Sequence, residues 1–510
     1  MAPDDAPLSP LARPQLLARA KATTDWDLIV VGGGATGLGA AVDAASRGYR
    51  TLLLEAHDFA KGTSSRSTKL VHGGVRYLEQ GRIGLVREAL VERARLVRNA
   101  PQWVRPLNFV VPVYSRWEQL KLRVGLSAYG LLAGRYRLGP VCGLSADETR
   151  ALLPNVRAAG LLGGVSYVDA QFDDAALAVS LARTVFDLGG TALNYTAVTG
   201  LKLEQGRVCG VQARDVSTGK DLLFSAAAVI NATGVWVDDI RRMAQPDAIP
   251  MVAPSQGVHL VVDAHWLPGE QALLVPQTDD GRVLFMIPWL GKVLLGTTDT
   301  PLDDLPIEPR AREEEIDFIL RTAARYLEKA PGRRDVLSVF AGLRPLIAAD
   351  PDARRSELSR EHVIRVAPPG LVTIAGGKWT TYRQMAEEVV DRAAEEAALP
   401  RATSRTARLP VHVDAISGRD RPLDPRLDLC AAQVRHAVRE QFALGIEDVL
   451  ARRHRALFLD AAAAIDVAPE VARLMAEELG MDAQWQVDQV AQFTALANSY
   501  RCTLDDAPVD

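Results

Sequence analysis

The stretch TSSRSTKLVHGGVRYLEQG, residues 63–81, crowds hydroxyls, Arg66, Lys69, His72, two glycines, Arg76 and Tyr77 into one segment. Donors and fixed cations at that density suit an anionic ligand. Leu70, Val71 and Val75 interleave with them, the pattern of a packed segment that aims its polar groups, whereas a solvated polar loop is the plain alternative. Upstream, GGGATG sets Gly32, Gly34 and Gly37 at GxGxxG spacing. That spacing alone is a weak signal; it becomes specific when a strand precedes it, a helix follows it and an acid closes the next strand.

All three conditions are met. DLIVV (27–31) is a continuous apolar run expected to form a buried strand, the Ala-rich stretch Leu38 to Arg47 reads as a helix, and TLLLE (51–55) as a second strand ending in Glu55. Gly32 permits a tight bend, Gly34 lets backbone approach a pyrophosphate, and Gly37 lets helix and strand pack closely. The helix N-terminus offers unpaired N–H groups to the anion. Glu55 can accept from both ribose hydroxyls and disfavours a 2′-phosphate, so FAD or NAD is expected and NADP is not.

The same domain returns twice. AAAVINATG (226–234) is an apolar strand ending at Gly234, which suits a strand passing beneath a bound cofactor, and GLVTIAGGKWTTYRQMAEEVVDRAAEE (370–396) reads as strand, glycine turn and long helix. Between these returns, 257–263 and 283–296 alternate and turn at Asp280-Gly281 and Gly291-Lys292, as antiparallel hairpins do. Residues 427–500 carry helical periodicity without strand-like runs, and 407–412 is the expected linker.

A chain of 510 residues exceeds what one hydrophobic core organises, so roughly two to four domains are expected. With 48% hydrophobic and 24% charged residues it is globular, and no run of 18 apolar residues offers a spanning helix. A net charge of -4 without a long basic block argues against nucleic acid. Four scattered cysteines make no CxxC pair and fit a reducing compartment. The Ala- and Pro-rich first 22 residues lack the order of a secretory signal and read as a frayed arm.

The chain resembles the FAD-dependent glycerol-3-phosphate dehydrogenases of the respiratory chain. The resemblance rests on VGGGATGLGAAVDAASRG (31–48), with Asp43 and Arg47-Gly48 at the family's distances, on TSSRSTKLVHGGVRYLE (63–79), NATGVWVD (231–238), GTTD (296–299), GLRPL (342–346) and GGKWTTYRQMA (376–386). It covers nearly the whole chain. It implies an α/β fold: a discontinuous FAD-binding Rossmann-type domain, an antiparallel-sheet substrate domain and a small C-terminal helical domain. The expected bounds are a disordered arm over 1–22, the FAD domain over 23–75, 170–245 and 340–400, the substrate cap over 76–169 and 246–339, and the helical domain over 410–510.

The reaction so implied takes a hydride from C2 of sn-glycerol 3-phosphate to flavin N5, and the electrons leave to a membrane quinone. By motif matching, Arg76, Tyr77, Arg344 and Lys378 are the expected substrate contacts, with Arg344 also placed among the catalytic residues. Gly32, Gly34, Gly37, Glu55, Thr63, Ser64, Ser65, Lys69, Gly234, Gly377, Thr380 and Thr381 are expected at FAD, with the helix after the GGK turn stabilising the negative edge of reduced flavin. The base for the C2 hydroxyl is His72 or His259, since imidazole titrates nearest neutrality; a core histidine is the alternative for each. The other six histidines show no ligand spacing, and no metal is expected. The quinone implies peripheral attachment to the inner face of the cytoplasmic membrane of a cytoplasmic protein. Residues 117–139 have the composition of an interfacial helix, although a buried amphipathic helix fits equally. A homodimer is carried as a default. Rival readings are a glycerol-3-phosphate oxidase using O2, an amino-acid oxidase on the same fold, and a non-catalytic FAD-binding module.

Overall fold

The computed structural model describes residues 11–74, 78, 81–279, 281–348, 362–414 and 420–502. Two sheets organise them. In the first, strands 371–376, 221–231, 25–31, 51–54 and 191–193 run parallel in that order, and strand 362–366 adds antiparallel at the edge. The apolar run of Asp25–Val31 is continuous because both its edges are paired and its residues from Leu28 on are buried. Helix Ala35–Ser46 packs against helices Asp174–Asp187 and Tyr382–Glu396. Asp43 and Arg47 pair at 2.6 Å one helical turn apart, and Arg47 Nη2 donates to the Glu387 carbonyl at 3.2 Å, tying helix Ala35–Ser46 to helix Tyr382–Glu396. Thus the Asp and Arg of the first motif serve packing.

The second sheet is mostly antiparallel. Strand Val252–Asp263 pairs with Lys292–Gly296 and with Val336–Ile347; beyond Leu284–Trp289 and Ala272–Val275 come Val104–Val113, Gly163–Phe172 and Leu70–Val71. The hairpins expected in 257–296 are present, with Leu290 and Gly291 at the second turn; Asp280 lies outside the described residues. Two expected boundaries shift. Residues 340–347 belong to the second sheet, because they extend strand 336–347 on strand 252–263, and Leu70–Val71 pairs with Ala170–Gln171 there as well. The antiparallel flange of 196–204 and 207–215 on strand 221–231 has no counterpart in the sequence reading.

The C-terminal region is helical as expected, with α-helices at 431–440, 461–479 and 483–498. It shares a core with the second sheet, in which Phe458 meets Phe340 with ring centroids 4.8 Å apart. The arm reading is corrected in part. Arg13–Ala22 is a helix opened by Pro14, with Leu16 and Ala20 buried, and Arg13 bonds Asp215 at 2.6 Å and the Tyr195 carbonyl at 2.9 Å. An arm so anchored is part of the first domain; residues 1–10 lie outside the described residues.

Candidate active site

The glycine turn is shaped to admit a dinucleotide. Gly32 has φ +108°, and a Cβ there would lie 2.7 Å from the Ala232 carbonyl oxygen; one on Gly37 would lie 1.9 Å from the Gly32 oxygen. Only bare backbone lets the helix start this close to the crossing strands. Gly34 caps that helix, whose first N–H, on Ala35, donates to Ser64 Oγ at 2.9 Å. Glu55 lies just past the second strand; Oε2 accepts from Gly33 N at 2.6 Å and Oε1 from His57 N at 2.8 Å. Burial raises its pKa, and the two backbone donors oppose that. Each oxygen keeps a second lone pair for a ribose hydroxyl. The residues present fit FAD.

Thr63–Ser65 form a short 3-10 turn against this cradle. Thr63 Oγ1 donates to the Leu343 carbonyl at 2.7 Å, and Trp379 Nε1 donates to the Ser64 carbonyl at 2.9 Å. The GGK turn, with Gly377 at φ +77°, leads through the 3-10 turn Trp379–Thr381 into helix 382–396. Thr380 and Thr381 are buried, and Thr380 Oγ1 accepts from His72 N at 3.3 Å and donates to His72 O at 3.4 Å. The expected helix at Thr380 therefore begins as a 3-10 turn and becomes α-helix two residues later. Gly234, at φ +65°, opens a 3-10 turn just past strand 221–231.

The second sheet supplies the floor. Its register sets Ser255 opposite Arg344, Gly257 opposite Gly342 and His259 opposite Phe340, so these six share one face. Gly342 lets residues 63–69 approach: a Cβ on it would come within 2.8 Å of both Arg66 Cβ and the Arg66 oxygen. Arg344 is fixed rather than loose. Nη1 reaches Asp299 Oδ1 at 2.9 Å, and Nη2 reaches Thr297 Oγ1 at 3.1 Å and the Thr298 carbonyl at 2.9 Å. Asp299 in turn accepts from Ser255 Oγ. A guanidinium held this way presents a preset fork.

The two histidines come from different elements of the second sheet. His72 follows strand 70–71, is half-buried, and its ring centroid lies 6.5 Å from that of Phe285. Phe285 pairs with Gly296, which pairs with His259. His259 is 2% exposed; its ring stacks on Phe340 at 4.9 Å and Nε2 meets Thr68 Oγ1 at 3.0 Å. Burial, then the charges of Lys69 and Arg344, push its pKa well below the ordinary value, so it stays neutral at neutral pH.

Three expected site residues need separate comment. Lys69 is corrected as a cofactor contact: it is 0% exposed, its Nζ donates to Asp174 Oδ2 at 2.8 Å and to the Ser65 carbonyl at 2.7 Å, and it braces the turn from behind. Burial and neighbouring Arg455 lower its pKa to about 7. Arg76 and Tyr77 lie outside the described residues. Lys378 is half-buried at the start of the GGK-following turn, and its charge is felt at Asp169 and Glu88. The sequence reading missed Asp299, Thr68, Asp174 and Arg455. The acid of GTTD, next in kind to the Arg of GLRPL, was the available signal for Asp299; nothing local marks Asp174, 105 residues from Lys69.

A glycine cradle on a parallel sheet and an antiparallel floor carrying a fixed Arg and a buried histidine define a flavin-dependent oxidoreductase. A profile described as "FAD dependent oxidoreductase" matches residues 27–383, and one described as "C-terminal domain of alpha-glycerophosphate oxidase" matches 374–486. The probable mitochondrial glycerol-3-phosphate dehydrogenase of Caenorhabditis elegans is 37% identical over 543 residues, spanning 95% of this chain and 75% of that one. The human mitochondrial glycerol-3-phosphate dehydrogenase is 35% identical over 555 residues, spanning 96% and 76%. Among solved structures, the Bacillus halodurans glycerol-3-phosphate dehydrogenase complexed with FAD matches with a TM-score of 0.78 at 30% identity, covering 98% of this chain and 100% of that one. The chain belongs to the FAD-dependent glycerol-3-phosphate dehydrogenase family. The L-alpha-glycerophosphate oxidase of Mycoplasma pneumoniae, at 19% identity and a TM-score of 0.60 over 77% of this chain and 100% of that one, shares the fold.

Proposed function

We propose that the chain oxidises sn-glycerol 3-phosphate to dihydroxyacetone phosphate and passes the electrons to a membrane quinone. Bound FAD supplies the hydride acceptor. The observation that carries the substrate class is Arg344, tethered by Asp299, Thr297 and the Thr298 carbonyl on the sheet face it shares with His259. Arg344 and Lys378 hold the phosphate dianion, each charge-assisted bond contributing about 1.5 to 3 kcal/mol. Arg76 and Tyr77 join them on the strength of the family motif. His72 takes the proton of the C2 hydroxyl, and neutral His259 acts on binding indirectly, by holding the Thr68 hydroxyl at the floor. Thr380 fixes the backbone of His72 and thereby its ring's starting point. An amino-acid substrate fits less well, because two cations, Arg344 and Lys378, exceed what one carboxylate needs.

The test is anaerobic: glycerol 3-phosphate should bleach the flavin absorbance of the purified protein, and plain glycerol should do so very poorly. No bleaching would favour a non-catalytic FAD-binding module. A quinone-reduction assay run beside a peroxide assay separates dehydrogenase from oxidase.

Helix Arg116–Ala133 supports peripheral attachment to a membrane. Leu126, Tyr129 and Ala133 face inward, whereas Trp117 (74% exposed), Leu120, Val124 and Leu131 (80% exposed) follow one another at helical spacing on the outside. Lys121 and Arg123 flank that stripe. No helix among the described residues is long and apolar enough to cross a membrane. In flotation with anionic lipid vesicles, the double variant Trp117→Ser, Leu131→Ser should stay in the soluble fraction while anaerobic flavin reduction is unchanged; retained flotation would reject this helix as the contact.

A further inference from the structure

The C-terminal helical domain reaches residues 55–66 through Phe442, whose ring meets Phe59 with centroids 5.4 Å apart, and through a cluster of arginines. Asp448–Arg453 wind as a π-helix, Arg455 breaks it at φ +74°, and α-helix resumes at Ala456. A π turn carries one more residue than an α turn, and such bulges recur at functional sites. Here it brings the neighbours Arg452 and Arg453 onto one carboxylate, Asp58, which follows Glu55 by three residues. Arg452 Nε and Arg453 Nη1 both donate to Asp58 Oδ2, and Arg453 Nη2 donates to Oδ1 at 2.8 Å. Asp58 is buried, yet the two guanidiniums outweigh burial and hold its carboxyl well below the usual range. Lys61 completes the strip, pairing with Glu447 at 2.5 Å and Glu308 at 2.7 Å.

Arg455 extends the contact to the 3-10 turn itself. Its Nη2 donates to the Ser65 carbonyl at 2.7 Å and lies 3.3 Å from Asp174 Oδ1, and Lys69 donates to the same Ser65 carbonyl at 2.7 Å. The guanidinium packs over Phe458 at 4.3 Å, and its Nε and Nη1 are buried without hydrogen-bond partners among the described residues. So the 55–66 segment has two edges. One meets the glycine turn through Glu55 and Ser64; the other is gripped by cations from the far end of the chain. Buried ion pairs add little net stability over apolar packing, since desolvation cancels most of the attraction, but they penalise any other arrangement heavily. A domain that needed only to stick would use the apolar core it already shares with the second sheet.

We propose that Arg452, Arg453 and Arg455 are positioning residues for FAD, through which the C-terminal domain sets the conformation of residues 55–66. The proposal rests on the FAD reading of that segment. The clasp acts before substrate arrives: with it in place the cradle is preformed, and without it cofactor binding must order the segment, which weakens affinity.

The experiment uses the full-length protein, stripped of FAD and reconstituted. FAD dissociation constants are read by quenching of flavin fluorescence, together with the visible band shape and the melting temperature of the apoprotein. Asp58→Asn and Arg455→Lys should each raise the FAD dissociation constant by about 10-fold or more and blur the band structure. Val471→Ala, a cavity variant inside helix 461–479 away from the clasp, should lower the apoprotein melting temperature and leave FAD affinity within about twofold. Unchanged FAD affinity in both clasp variants overturns the proposal, as does an equal loss in Val471→Ala at matched destabilisation. Should Asp58→Asn fail to fold, Arg455→Lys, which keeps the charge, decides alone. A wild-type protein that took up no FAD would instead refute the cofactor reading.

Discussion

His72 comes just after a two-residue strand with part of its surface open, whereas His259 sits within a twelve-residue strand, sealed between Phe340 and the Thr68 hydroxyl. The same side chain is thereby given different chemistry. A base must be able to gain a proton and hand it on, and a sealed imidazole flanked by Lys69 and Arg344 resists gaining one. His72 is half-buried, and its backbone is held by Thr380. Burial, more than proximity to the floor, is the difference on which the proposed division of roles rests.

The largest effect should come from His72→Gln, which is expected to lower kcat by about 100- to 10,000-fold with flavin content and substrate affinity nearly intact. Next, Arg344→Ala and Lys378→Ala should each cut kcat/KM for glycerol 3-phosphate by about 10- to 100-fold. Their already poor turnover of plain glycerol should fall little further; equal losses on both substrates would mean that the cations serve flavin or fold. His259→Gln should be milder still, raising KM more than it lowers kcat, and it should leave the acidic limb of the kcat profile in place while His72→Gln removes it. A limb that survives in both variants would take the base away from both histidines. The smallest effect is on stability. His259 is neutral in the fold but protonates below pH 6.5 once unfolded, so the unfolded state binds the extra proton. Its contribution is present above that pH and is lost as pH falls through its depressed folded value; acid melting of His259→Gln should be the flatter of the two.

Legibility in the sequence followed the range of the interactions. The segment 27–55 carries its strand, turn, helix and closing acid within one unit, and each lies within a residue or three of its expected bounds. The returns at 221–231 and 371–396 were readable for the same reason. Lys69 was misread because composition reports a cation's presence but not its direction, and the carboxylate that turns it inward is remote in sequence. Residues 340–347 were placed with the FAD-binding domain, since an apolar run fits either sheet and only pairing with 252–263 decides. The helix at 13–22 has a weak amphipathic pattern and is held by Arg13 bonds to residues 194–215, invisible locally.

The order of strands in the first sheet also bears on synthesis at the ribosome. Strand 25–31 finds one neighbour at once in 51–54, but its other neighbour begins at Asp221, and the next one out at Leu371. At about 5 to 20 residues per second, the nascent strand waits roughly 10 to 40 s for the first of these. Throughout that interval one edge of a strand that is apolar from Leu28 to Val31 has open N–H and C=O groups, a template for pairing with other chains. The cradle for the cofactor is therefore begun long before the strands that complete it are made, and its open edge is the one that a mispairing chain would reach during translation.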